Sequence, residues 1–117
     1  MAKKKSKKAR AQATEKVVME WERYMGEGSL ADWQRLMRDL GFEEEFPSKN
    51  QCRKTLKTGV WVNIPDFLDA VRAGVRVRMF RTQRELAAYT RETRRVYPKS
   101  RIPPDSPLRQ LLAHIFS

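Results

Sequence analysis

Residues 60–80 read Val60-Trp61-Val62-Asn63-Ile64-Pro65-Asp66-Phe67-Leu68-Asp69-Ala70-Val71-Arg72-Ala73-Gly74-Val75-Arg76-Val77-Arg78-Met79-Phe80, and the folding of this stretch decides how the rest of the chain is arranged. Residues 60–63 taken as a strand span about 13 Å at ~3.3 Å per residue. Residues 65–73 taken as a helix cover about the same distance at ~1.5 Å per residue. Asn63 suits the N-cap of that helix, Pro65 its first turn and Gly74 its end. The helix can therefore return the chain to its starting edge, so that residues 75–80 run parallel to the first strand. There Val75, Val77 and Met79 alternate with Arg76 and Arg78, and Arg81 follows, which gives one apolar and one arginine face. A two-stranded ribbon is not stable alone, so helices must cover its apolar face. The expected fold class is α+β: a mostly helical single domain of about five helices around a short two-stranded β-α-β unit.

The flanking segments supply those helices. Ala13, Val17, Val18, Trp21, Tyr24 and Met25 form one helical stripe, which Gly26 and Gly28 terminate. Ser29 caps a second helix with Leu30, Trp33, Leu36, Met37 and Leu40 on its buried face. Gly41 stands where a terminating glycine belongs, and Phe42 follows to contact the last turn. The pair Ser48 and Gln51 has capping-box spacing and opens a helix over 49–57, with Cys52 and Leu56 pointing inward. Thr82 and Glu85 repeat that spacing and open a helix to about residue 95, which Tyr97-Pro98 ends. Ser106 and Pro107 begin a last helix whose Leu108, Leu111, Leu112, Ile115 and Phe116 dock it as a lid. Residues 1–12 are expected to be a disordered lysine-rich tail, and 13–117 the globular domain.

The 117 residues carry a net charge of +11, unevenly divided: +6 over residues 1–10, −5 over 11–45 and +10 over 46–117. This polarity points to a polyanionic partner for one face and leaves an acidic helical hairpin on another. Cys52 is the only cysteine, so neither an internal disulfide nor a cysteine-based zinc site is expected. No apolar run approaches the ~20 residues that cross a bilayer, and the first residues lack the apolar segment of a secretory signal. An intracellular, reducing compartment follows as the expectation.

The chain shows no GxGxxG, P-loop, HExxH or CxxC pattern, so it reads as non-enzymatic, without cofactor or metal. His114, the single histidine, sits near the end of the last helix with no nucleophile at a readable spacing. Asp66 and Asp69 share a helix face but, as two carboxylates alone, make a poor metal site; they read as solvent-facing first-turn charges. Trp61 is either covered by a helix or presented as an aromatic platform beside the ribbon.

Arginine and lysine carry the strongest functional signal. Arg76, Arg78, Arg81 and Arg84 lead into a helix that continues with Arg91, Arg94 and Arg95, while Lys49, Arg53 and Lys57 form a stripe on the third helix. The tail adds Lys3, Lys4, Lys5, Lys7, Lys8 and Arg10 in the manner of a nuclear-localisation or nucleic-acid tether. Arginine offers planar, bidentate phosphate contacts, so these residues together are the candidate nucleic-acid-binding set of a nuclear module with little base selectivity. The other reading is a protein-interaction module, with an acidic hairpin and a basic face that meets acidic protein surfaces. The bland possibility is that the arginines neutralise the acidic first third.

The strings Ala31-Asp32-Trp33-Gln34, Leu40-Gly41, Cys52-Arg53, Val62-Asn63-Ile64, Asp66-Phe67-Leu68-Asp69, Tyr89-Thr90-Arg91, Tyr97-Pro98, Leu111-Leu112 and His114-Ile115-Phe116 resemble, in this order, small uncharacterised proteins of filamentous fungi. The resemblance spans most of residues 30–117 and leaves out the lysine tail. It implies a single natural domain in a eukaryotic cell, and no activity, cofactor or substrate.

Overall fold

Rings from two helices meet at the centre of the molecule. Trp21 and Tyr24 of the first helix, α1 (Lys7–Met25), face Phe67 of α4 (Ile64–Ala73), with centroids 6.4 and 5.4 Å apart. The computed structural model describes residues 7–112. Between these helices lie α2 (Leu30–Asp39) and α3 (Lys49–Lys57), and after them α5 (Gln83–Thr93), a 3-10 turn (Lys99–Arg101) and α6 (Leu108–Leu112). α2 packs on α1 and α3, α4 on α1, and α6 on α3. The shared core includes Val18, Trp33, Leu36, Met37, Cys52, Leu56, Val62, Phe67 and Leu108, all essentially inaccessible. Each large apolar side chain so buried contributes roughly 1.5–3 kcal/mol.

Local chemistry sets the helix ends. The Ser29 hydroxyl accepts from the Asp32 backbone N–H while Asp32 takes the Ser29 N–H, a complete capping box. Ser48 and Thr82 accept in the same way from Gln51 and Glu85. At the end of α2, Gly41 N–H donates to Arg38 and Phe42 N–H to Met37, and at the end of α4, Gly74 N–H donates to Val71 and Val75 N–H to Ala70. These paired bonds close both helices through a left-handed glycine.

Two expectations need correction. No β-strand forms among the described residues, so the fold is helical rather than α+β, and the parallel β-α-β unit is absent. Its place is taken by one antiparallel bridge, in which Phe80 N–H donates to the Trp61 carbonyl at 2.9 Å. The reason is geometric. Parallel pairing needs a crossover of a dozen or more residues, and α4 with its immediate glycine stop falls short. The alternation of residues 75–80 is not used either: Val75 is 62% and Met79 39% exposed, while the buried positions are Val77 and Phe80, three apart. The second correction concerns the tail. α1 starts at Lys7 rather than Ala13, because Lys, Gln and Ala are strong helix formers. Of the expected tail, residues 7–12 are thus helical, and residues 1–6 lie outside the described residues, as do His114, Ile115 and Phe116 of the expected lid.

Gly59 shows how closely the linker is built. Its φ is +115°, and a methyl group there would stand 2.7 Å from Cη2 of Trp61. Gly28, at φ +72°, faces open space. Gly28→Ala is therefore expected to cost about 1 kcal/mol through backbone strain alone, and Gly59→Ala about 3 kcal/mol through strain plus the ring collision. Urea midpoints of the two variants check this; equal losses would contradict the Trp61 placement.

Candidate nucleic-acid interface

α5 is attached to the rest of the molecule by polar groups. Leu86 is its one buried residue, and neither Leu86 nor Phe80 belongs to the main apolar cluster. The attachment runs through the first turn of α4. The buried Asn63 caps that helix by accepting from Asp66 N–H at 3.0 Å, and its amide donates to the Arg95 carbonyl at 2.7 Å. Asp66 accepts from Arg95 Nε through one oxygen, at 2.7 Å, and from the Tyr89 hydroxyl through the other. A second guanidinium nitrogen of Arg95 reaches Asp69, which also holds Arg72. The chain turns into this clamp at Arg94, which adopts a left-handed φ of +57°, alone among the described non-glycine residues.

The predicted site residues thus divide. Arg95 is committed to the clamp. Arg53 is turned over Trp33, with its guanidinium 4.8 Å from the ring, and bonds Asn50. Lys49 lies partly buried beside it on α3, and Lys57 is exposed. Arg76 passes close to Gly41, its guanidinium 3.6 Å from where a side chain there would begin. Arg78 lies over Phe80 and Tyr89, at 4.5 and 5.8 Å from their centroids. Arg81 and Arg84 are exposed around the start of α5, and Arg91 lies two turns beyond Arg84, roughly 10 Å along the same face. Lys7, Lys8 and Arg10 fall in the opening turns of α1, and Lys3, Lys4 and Lys5 lie outside the described residues. Arg76, Arg78, Arg81, Arg84, Arg91 and Arg94 are thus all exposed on the segment 76–94, whereas Arg95 is engaged and the α3 stripe lies on another element.

The acids of the first third that are paired draw on other arginines. Glu15 pairs with Arg101, Glu20 with Arg72 and Asp32 with Arg35, while Asp39 takes the Tyr24 hydroxyl. Four of the nine carboxylates between residues 11 and 45 are engaged in this way. None of the six arginines between 76 and 94 has a carboxylate partner among the described residues. Tyr89 and Phe80 were not singled out from sequence as part of this surface, although Tyr89 stands at i+7 from Thr82 in a run otherwise rich in arginine. Trp61, the aromatic platform weighed from sequence, is partly covered and lies across Gly59 with its Nε1 buried. Cys52 is fully buried, and burial pushes its thiol up, away from reactivity. No helix among the described residues is long and apolar enough to cross a membrane. No protein-family model, no curated protein and no solved structure matches the chain.

Replacing Arg95 with Ala breaks the clamp and is expected to lower unfolding free energy by roughly 1–2 kcal/mol after allowance for its partial exposure. Arg91→Ala, on the open face, should change it by less than about 0.5 kcal/mol. Chemical denaturation separates the two, and equal effects would rule out the clamp.

All three tyrosines of the chain are pushed above the ordinary phenol range: Tyr24 by burial and its bond to Asp39, Tyr89 by its bond to Asp66, and Tyr97 by burial. A raised folded-state value stabilises fully below the unfolded value, near 10, and that contribution is lost as pH rises through the folded values. At about pH 10.5 the native protein should show less phenolate absorbance than the urea-unfolded chain, which is largely ionised there. A native midpoint near 10 would remove the Tyr–Asp bonds.

Proposed function

We propose that this domain is a non-enzymatic nuclear module that binds nucleic acid through arginine–phosphate contacts, with little sequence selectivity. The observation that carries the reading is the set of six unpaired arginines at 76, 78, 81, 84, 91 and 94. Residues 74–94 hold only Glu85 and Glu92 against them. Glu85 is itself occupied, accepting the Arg81 backbone N–H at the start of α5. Folding gains nothing from keeping so many arginines without carboxylate partners in one segment, since each repels its neighbours. A phosphate backbone supplies the missing counter-charge at matching density.

The alternative, a protein-interaction module, draws on a separate observation. Val75 and Met79 are exposed beside Arg76 and Arg78, so the basic surface is not purely polar. The acidic hairpin half of that alternative is weaker, because four of its carboxylates are already engaged within the chain.

The test is binding of labelled oligonucleotides across a salt series by the full chain, by a chain lacking residues 1–6, and by Arg84→Glu plus Arg91→Glu. The shortened chain should retain a steep salt dependence. The double variant should lose at least about tenfold in affinity and flatten the slope by roughly 1.5. Binding that disappears with residues 1–6, or that ignores the double substitution, would discard the reading for the domain and favour a protein partner.

A further inference from the structure

Arg78 differs from the other five arginines of this segment in lying over two aromatic rings. Its guanidinium rests on Phe80 and Tyr89, whose centroids are 5.0 Å apart at an interplanar angle of 44°. Phe80 is 7% exposed and its backbone N–H is fixed to the Trp61 carbonyl, so this floor is anchored to the linker before α4. Tyr89 is anchored from the other side, its hydroxyl donating to Asp66. The other Asp66 oxygen accepts from Arg95, so both oxygens of that carboxylate are already engaged. The Arg78 guanidinium is thus backed by aromatic rings, while the side chain as a whole stays exposed. Arg76 and Arg81 stand two and three residues away, and Met79, 39% exposed, borders the group on the chain itself.

A guanidinium plane supported on one side by aromatics stacks a second π-system on the other, because it is delocalised and weakly hydrated. Phosphates are bound at the edge of such a plane and leave its face unused; unstacked bases stack on the face. Resting on the polyanion reading above, we infer that the ligand class is single-stranded nucleic acid, with one base stacked on the outer face of Arg78 and its flanking phosphates held by Arg76 and Arg81. Duplexes, whose base faces are covered by their neighbours, bind through the arginines alone and more weakly.

Fluorescence anisotropy of the full chain with three labelled probes of equal length tests this: a single-stranded 12-mer, its duplex, and a single strand whose sugars carry no bases. Each is measured with the unmodified protein and with Arg78→Lys, which keeps the charge and removes the plane. The base-bearing strand should bind on the order of tenfold more tightly than the baseless one. Arg78→Lys should erase that difference while leaving affinity for the baseless strand within about twofold. Equal affinity of the unmodified protein for base-bearing and baseless strands would overturn the stacking inference and leave the phosphate reading standing. So would an equal loss for both strands on substitution. Failure to bind any probe at low salt would overturn both.

Discussion

A buried amide, that of Asn63, ties the chain at the end of α5 to the start of α4. Its carbonyl oxygen starts α4, whose Phe67 and Leu68 fill the core, and its amino group holds the backbone after α5. Both ends of the side chain are satisfied, which is the condition for burying an amide without a desolvation penalty. Because the same turn of α4 presents Asp66 and Asp69 to Arg95 and Tyr89, the position of α5 is fixed by hydrogen-bond geometry rather than by an apolar face. The left-handed Arg94 is the cost of bringing Arg95 around to that turn, about 1 kcal/mol, and two charge-assisted bonds offset it.

Charge is partitioned with similar economy of place. Arg72 in the last turn of α4 and Arg101 in the 3-10 turn reach back to Glu20 and Glu15 of α1, while Arg76, Arg78, Arg81, Arg84, Arg91 and Arg94 between them are exposed. Net charge alone did not require this division. An arrangement in which Arg76 or Arg84 neutralised Glu20 would have the same total and no basic surface. What decides it is that Arg72 ends α4, which packs on α1, whereas the chain after Gly74 leaves that interface.

Helix boundaries were legible because their causes are local. Ser29, Ser48, Asn63 and Thr82 all cap where their residue type and spacing said, and Gly41 and Gly74 close helices as expected. Tertiary choices were not. The alternation Val75-Arg76-Val77-Arg78-Met79 has strand form, but pairing depends on the reach of the preceding crossover, which a five-residue window does not contain. Arg94 and Arg95 are chemically identical neighbours, and one becomes a turn residue and the other a clamp only because Asp66, 29 positions away from Arg95, lies on one side. Asp66 and Asp69 were correctly placed on one face yet read as solvent charges, since nothing within α4 reveals a partner arriving from α5. The aromatic floor under Arg78 was missed for the same reason: Phe80 and Tyr89 belong to different local segments and meet only in space.

Attaching α5 by hydrogen bonds and one leucine gives the molecule two tiers of cooperativity. Releasing α5 exposes Leu86 and breaks the links at Asn63, Asp66 and Asp69, while the ring contacts among Trp21, Tyr24 and Phe67 persist. Such a unit opens at a free energy well below that of global unfolding. Such opening would carry Arg84 and Arg91 with α5 and leave Arg76 and Arg78 in place, because Val77 between them belongs to the core cluster and Phe80 is bonded to Trp61.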